Sequence, residues 1–238
     1  MADNNVYTYY EHLGSKTDST LVNMWVQSWK KHGWNPVVLD RKTYMQKPMQ
    51  KDVEETTRRL STITPIDYSI AANMRWLAWT QVVGLGSLVC DYDVLNYGFT
   101  PDDIIIPSQY GEMINYSEFG VWGGIHQVDE SACYKVLDLL MEYNVDYFFD
   151  KPWSACNYTF KHWGKKHCND MIAIFDYCTA KYSVHDDFFK TDFNIRWVGG
   201  CKLAPDIAKL IHYANGTVGG NDNRINFIMK FEKENGLC

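Results

Sequence analysis

The sequence lacks an excess of positive charge, a long apolar run and an apolar stretch within residues 1–20. Its 23 lysines and arginines are outnumbered by 29 aspartates and glutamates, for a formal net charge of −6. A non-specific nucleic-acid binder needs a basic surface, so that class of protein is disfavoured. No uncharged apolar stretch approaches the roughly 20 residues that a membrane-spanning helix needs. Residues 1–20 are polar, so we expect a soluble protein without a membrane span or a signal peptide.

Paired cysteine motifs are also missing. The seven cysteines are scattered and form no Cys-x-x-Cys pair. Disulfides are rare in cytosolic proteins, so this usage predicts reduced, structural thiols and a cytoplasmic location. The chain has 238 residues, of which 46% are hydrophobic, enough for one sizeable core. No repeat or linker-like change in composition divides it, and we expect a single domain over 1–238.

The order of apolar segments predicts an α/β fold. A β-prone segment at 6–10, a helix from 19 or 20 to about 32 and a short strand at 35–40 make a β-α-β unit, so the sheet should begin parallel. The other expected helices are 51–60, 67–83, 129–142, 170–181 and a last one from 221 or 222 to about 234. The other expected strands are 88–90, 104–106, 121–125 and 195–198.

Two aspartates follow the apolar strand at 88–90. Asp91 and Asp93 are one residue apart at its carboxyl end. Ligands of open α/β sheets bind at that edge. Two carboxylates can hold one hard divalent cation while leaving coordination positions for phosphate and water. The sequence therefore predicts an enzyme that acts on a phosphate compound with the help of a metal.

The segment upstream of these aspartates resembles that of GT-A glycosyltransferases of the sugar-binding DXD type. Arg75, Ala78, Gly84 and the triplet Asp91-Tyr92-Asp93 follow the family's order of arginine, glycine pair and Asp-x-Asp strand, with the second glycine displaced to Gly86. The likeness covers about 67–100 well and the rest only in element order. The chain is also similar to the small glycosyltransferase domains of large algal (chlorella) viruses, and for a viral protein the expected location is the host cytoplasm.

The resemblance implies a GT-A, Rossmann-like fold: a mostly parallel central sheet with helices on both faces. About 1–115 would form the nucleotide-binding half. About 116–238 would form the acceptor half and carry the C-terminal metal histidine. The implied reaction moves a sugar from a nucleotide diphosphate sugar, in the first instance a UDP-sugar, to a hydroxyl of a glycan or other acceptor.

The resemblance also implies a metal site. Asp93 would ligate Mn²⁺ or Mg²⁺, and Asp91 would contact the metal or the nucleotide ribose. Arg75 would reach the diphosphate or the donor sugar. His212 is similar to the family's C-terminal metal histidine, and imidazole suits Mn²⁺ beside carboxylates. The lysine that often follows in the family is absent, and Gly216 with its neighbours could offer backbone N–H groups to phosphate instead.

The remaining site residues follow from position in the family. The expected nucleoside-binding residues are Thr8, Tyr9, Tyr10 and Asp40. If transfer inverts configuration, a carboxylate would take the proton of the acceptor hydroxyl as a general base. Asp170, at the start of a predicted helix, is the first candidate and Asp150 the second. Asp170 could equally serve only to favour the positive end of its helix.

Two other functions remain open. A haloacid-dehalogenase-type phosphatase also carries Asp-x-Asp after an apolar strand. Asp91 would then be the nucleophile and Asp93 the acid/base, with Mg²⁺ alongside and 185–187 as a late acidic motif. That motif normally lies near the N-terminus, whereas here a β-α-β unit and two helices precede it. The second alternative is a domain that binds a nucleotide-sugar without turnover.

Overall fold

The computed structural model describes residues 4–13, 19–117, 124–182, 191–203, 208–214 and 221–237. The strands are β1 Asn5–Tyr9, β2 Asn35–Leu39, β3 Ser87–Cys90, β4 Val94–Asn96, β5 Glu112–Ser117, β6 Ile125–Val128, β7 Asn194–Leu203 and β8 Leu210–His212. The helices are α1 Ser19–Lys31, α2 Gln50–Leu60, α3 Ile66–Trp79, α4 Glu130–Glu142, α5 Val145–Phe149, α6 Ala155–Trp163, α7 Asp170–Tyr182 and α8 Asn221–Glu234.

The described strands form one mixed sheet in the order β2-β1-β3-β6-β5-β7-β8-β4. The parallel pairs are β1–β2, β1–β3, β5–β7 and β7–β8. The antiparallel pairs are β3–β6, β5–β6 and β4–β8. Parallel pairing therefore prevails, and the predicted β1-α1-β2 unit is present. This confirms the expected α/β fold with a mostly parallel sheet, whereas its assignment to the GT-A class stays a prediction.

Helices cover both faces of the sheet, as expected. Side chains of a strand alternate between its two faces, so neighbouring residues enter different cores. Val6 and Leu88 join the core that α1 and α8 cover, whereas Tyr7 and Val89 join the core beneath α2 to α7. None of the described helices is long and apolar enough to span a membrane.

Some expected elements are wrong or incomplete. The strand expected at 104–106 is absent from the described sheet, and Ile106 is 83% exposed. Those residues follow a capped 3-10 helix, Pro101–Asp103, and precede Pro107, which cannot donate a hydrogen bond to a ladder. The strand expected at 121–125 is described only from Ile125, since 121–123 lie outside the described residues.

Short elements were missed altogether. The sequence pattern did not indicate β4, β5, β8, α5 or α6, and α3 ends at Trp79 instead of the predicted 83. Strands of three residues carry too little alternation to stand out. Their existence depends on partners distant in sequence, as in the pairing of β4 with β8.

A buried aspartate joins three of the helices on the larger face. Asp176 of α7 accepts hydrogen bonds from Tyr143 Oη at 2.5 Å, from Ser154 Oγ at 2.6 Å and from the backbone N of Ala155 at 2.6 Å. Tyr143 follows α4, and Ser154 caps α6. Burial raises the pKa of Asp176 to about 6, although these hydrogen bonds oppose the rise. The folded protein therefore holds this proton to a higher pH than the unfolded chain does.

This carboxyl group should make stability depend on pH. Its pKa is raised on folding from 3.8 to about 6, so its contribution is full below pH 4 and is lost as pH rises through 6. Asp176→Asn removes the titration and keeps the shape. Urea unfolding at pH 4.5 and 7.5 should show wild type losing roughly 1–3 kcal/mol more than the variant over this interval. A difference between the two proteins that does not change with pH would contradict this assignment.

Candidate metal and nucleotide site

The Asp-x-Asp segment forms a tight turn at the carboxyl end of β3. The backbone N of Val94 donates to the carbonyl of Asp91 at 3.1 Å. Two fully buried tryptophans of α1 hold the residues on either side of the aspartates. Trp25 Nε1 donates to Cys90 Sγ at 3.2 Å, and Trp29 Nε1 donates to the carbonyl of Val94 at 3.1 Å. Because β3 is parallel to β1, the carboxyl ends of both strands share this edge.

Strand β8 brings His212 to the aspartates. Antiparallel pairing sets His212 opposite Val94, and the backbone N of Tyr213 donates to the carbonyl of Asp93 at 2.9 Å. His212 Nε2 lies 3.2 Å from Asp93 Oδ1 and 3.9 Å from Asp91 Oδ2. One ligand atom from each of the three residues lies within 4.8 Å of the others. The structure thus brings the three predicted metal ligands together.

This donor set fits a divalent cation. Two ligands at right angles around an octahedral ion, each about 2.1 Å from it, are about 3.0 Å apart. The 3.2 Å between His212 Nε2 and Asp93 Oδ1 is close to that spacing. Asp93 Oδ1 faces His212, whereas its Oδ2 accepts from Arg224. Two carboxylates with one imidazole form a ligand set that suits Mn²⁺.

Two buried arginines compensate the charges of the aspartates. Arg75 Nη1 contacts Asp91 Oδ1, and Arg224 Nη1 donates to Asp93 Oδ2 at 2.9 Å. The side chains of Arg75 and Arg224 are only 11% and 5% exposed. Arg75 was expected near the phosphates, whereas Arg224 was missed.

A sequence signal for Arg224 did exist. In α8 the buried positions include Arg224, Ile228 and Phe231, which are spaced i, i+4 and i+7 along one face of the helix. An arginine in the apolar stripe of an amphipathic helix needs a buried anion as its partner. Asp93, in the turn between β3 and β4, is that partner.

Burial raises the pKa of both aspartates, whereas the nearby arginines lower it. Burial raises the pKa of Asp91, and the nearby Arg75 only partly offsets it. Burial acts in the same way on Asp93, but His212 and Arg224 outweigh it and hold the pKa of Asp93 below its usual value. Burial alone would lower the pKa of Arg75, but its partners Asp170 and Asp91 raise it instead. Arg75 is therefore a permanent cation of the site.

Gly124 leaves room for the first aspartate. Its carbonyl accepts from the backbone N of Asp91 at 2.6 Å, where β6 begins. A Cβ at this position would overlap the carboxylate of Asp91. Only glycine therefore fits beside Asp91 as it is placed here.

The two candidate bases lie in different surroundings. Asp170 begins α7 and is 1% exposed. Its Oδ2 accepts from Arg75 Nη2 at 2.5 Å, from Arg75 Nε at 3.2 Å and from Trp76 Nε1 at 2.6 Å. Asp150 is an exposed residue that ends α5, and the described contacts of the metal ligands do not include it. A base role for either residue stays a prediction.

The predicted nucleoside-binding residues lie in three different environments: a cleft, the core and the surface. Tyr9 lines a cleft beside the metal ligands, together with Tyr68, Ala71, Ala72 and Tyr92. Its hydroxyl donates to Glu11 at 2.7 Å.

The lining of that cleft does not include Tyr10, Thr8 or Asp40. The ring of Tyr10 lies edge-on to Tyr92 with centroids 5.4 Å apart. Thr8 is fully buried, whereas Asp40 is exposed and accepts from the backbone N of Lys42 at 2.9 Å. Gly216 and 185–187 lie outside the described residues.

A family profile, described as "Domain of unknown function (DUF8765)", matches residues 2–127. This is more than half of the chain, and it includes Arg75, Asp91 and Asp93. The chain belongs to the DUF8765 family. No curated protein matches this DUF8765 chain.

Two solved structures share a distant likeness with the DUF8765 chain. One is a glycosyltransferase involved in the glycosylation of the major capsid of PBCV-1, with 10% identity, a TM-score of 0.42, and coverage of 94% of this chain and 98% of that chain. The other is the apo-form glycosyltransferase GlyE of Streptococcus pneumoniae TIGR4, with 10% identity, a TM-score of 0.44, and coverage of 99% and 64%. At these TM-scores neither likeness decides the fold or the reaction of the DUF8765 chain.

Gly124→Ala should weaken cation binding by the DUF8765 protein. The added methyl group would displace the carboxylate of Asp91, and displaced ligands or their supports typically cost about 10–100-fold in metal affinity. Gly84→Ala is the matched control, because nothing lies within 4 Å of a Cβ there. Isothermal titration with Mn²⁺ should show the loss only for Gly124→Ala. Equal affinities in two folded variants would contradict the placement of Asp91.

Proposed function

We propose that the protein is a metal-dependent glycosyltransferase of the GT-A class. It would transfer a sugar from a nucleotide diphosphate sugar, in the first instance a UDP-sugar, to a hydroxyl of a glycan or similar acceptor. The observation that carries this proposal is the meeting of Asp91, Asp93 and His212 at the sheet edge, with Arg75 and Arg224 beside them.

The balance of charge favours a diphosphate as the ligand. If each group is ionised, three carboxylates (Asp91, Asp93 and Asp170) face two guanidinium groups in direct ion pairs. The cluster then carries a net charge of about −1, and a dication changes that to about +1. A site of that charge attracts and stabilises an anion such as a diphosphate leaving group.

Aromatic side chains line the cleft beside the metal ligands. Three tyrosine rings, Tyr9, Tyr68 and Tyr92, line it together with Ala71 and Ala72. Aromatic rings stack on nucleobases with little sequence preference. We therefore place the base against these rings at the mouth of the cleft, whose volume of about 70 Å³ does not enclose a nucleotide, with the phosphates reaching the metal ligands.

Each site residue has a proposed task. Asp91, Asp93 and His212 would hold Mn²⁺ or Mg²⁺, which neutralises charge on the diphosphate leaving group. Arg75 and Arg224 keep the two carboxylates in place beside that group. The proposed nucleotide contacts are Thr8, Tyr9, Tyr10, Asp40, Arg75 and Gly216. For an inverting transfer, the sequence candidates for the base are Asp170 and Asp150.

The contacts of the two aspartates disfavour the phosphatase alternative. Arg75 contacts Oδ1 of Asp91, so only Oδ2 would be left both to attack phosphorus and to hold the metal. Asp93 would need to give up a proton as acid/base, but His212 and Arg224 stabilise its ionised form. Trapping Asp91 with beryllium fluoride in place of phosphate would reverse this conclusion.

Mn²⁺ together with a UDP-sugar should stabilise the protein and lead to turnover. A bound ligand raises the melting temperature by mass action, so a thermal-shift screen of nucleotide-sugars with and without Mn²⁺ identifies the donor. Asp93→Asn should remove the Mn²⁺-dependent shift and lower donor hydrolysis on the order of 10²–10³-fold. Asp192→Asn is the control, because Asp192 is exposed and pairs only loosely with Lys181, at 3.5 Å.

The outcomes separate the three functions. Normal Mn²⁺-dependent hydrolysis by Asp93→Asn would contradict the proposed site. Donor-dependent stabilisation of wild type without hydrolysis or transfer would instead favour the binding domain.

A further inference from the structure

A connected series of four side chains runs from the protein interior to the metal ligands. Trp76 Nε1 donates to Asp170 Oδ2 at 2.6 Å, and Arg75 Nη2 donates to the same oxygen at 2.5 Å. The other end of the Arg75 guanidinium contacts Asp91 Oδ1. Trp76 is fully buried and Asp170 is 1% exposed, so solvent does not compete for the contact between them.

Helix α3 supplies both donors to Asp170. Trp76 and Arg75 are consecutive, so their side chains leave the helix about 100° apart. A carboxylate that begins α7 lies between them and accepts from both. One oxygen, Oδ2, thus takes three hydrogen bonds from two residues. Charge-assisted contacts of this kind fix orientation as well as adding energy.

We propose that Asp170 is a positioning residue and not the general base. Held by Trp76, it orients Arg75 so that Nη1 meets Asp91, and Arg75 in turn directs the Asp91 carboxylate toward the cation position. The proposal rests on the proposed function only through the metal site. A base role would require Asp170 to reach the hydroxyl of an acceptor, whereas it is 1% exposed and its Oδ2 already accepts three hydrogen bonds from Arg75 and Trp76.

A matched pair of tryptophans tests the proposal without changing any charge. Trp76 and Trp79 are both fully buried on α3, with ring centroids 6.0 and 5.5 Å from the Arg75 guanidinium carbon. Only Trp76 donates to Asp170, whereas Trp79 Nε1 has no hydrogen-bond partner among the described residues. Trp76→Phe therefore removes one contact of the series, and Trp79→Phe removes an N–H of the same kind outside it.

The readouts are Mn²⁺ affinity, by titration and electron paramagnetic resonance, and the rate of donor hydrolysis at saturating Mn²⁺. Trp76→Phe and Asp170→Asn should each weaken Mn²⁺ binding about tenfold or more, and Trp79→Phe should stay within about twofold of wild type. At saturating Mn²⁺ both weakened variants should regain turnover within a few-fold of wild type. Arg75→Lys keeps the charge but cannot bridge two carboxylates, and it should lose affinity as well.

The results distinguish a positioning role of Asp170 from a general-base role. Wild-type Mn²⁺ affinity in Asp170→Asn, with turnover reduced about 10²–10⁴-fold at every Mn²⁺ concentration, would identify a general base and overturn the proposal. Equal effects of Trp76→Phe and Trp79→Phe would also overturn it. Failure of wild type itself to bind Mn²⁺ would contradict the proposed function. If Asp170→Asn does not fold, Trp76→Phe and Arg75→Lys give the same decision.

Discussion

Compensation of buried negative charge is the constraint on which the site depends. Two like charges 4 Å apart repel by about 4 kcal/mol at an effective dielectric constant of 20. Asp91 and Asp93 are adjacent, partly buried carboxylates and therefore need cationic partners. Arg75 comes from α3 on one face of the sheet and Arg224 from α8 on the other. The two faces of the fold thus meet at the edge where β3 ends.

Other contacts of the local structure hold the ligand residues in position. Trp25 and Trp29 tie the backbone on both sides of the aspartates to α1, while β8 fixes His212 through its pairing with β4. Gly124 leaves the space that the Asp91 carboxylate occupies. A preorganised ligand set of this kind does not have to reorganise when a cation and its anionic partner arrive. This arrangement is the candidate cation site on which the proposed function depends.

The sequence predicted those parts of the fold that depend on local pattern. The β1-α1-β2 unit, the helix before Asp91 and the position of Asp91 and Asp93 at a strand end all follow from apolar periodicity within short windows. His212 was found through resemblance. Contacts that join distant segments were missed: Arg224 with Asp93, and Trp76 with Asp170. The strand predicted at 104–106 was wrong because three isoleucines favour an extended backbone whether or not another strand pairs with it.

Anomalous diffraction from a crystal soaked with Mn²⁺ and UDP tests the central claim most directly. The account predicts one strong manganese peak at bonding distance, about 2.0–2.3 Å, from His212 Nε2 and from oxygens of Asp91 and Asp93, with diphosphate oxygens completing its coordination. Manganese bound elsewhere, or UDP bound with no manganese between its phosphates and these side chains, would contradict it.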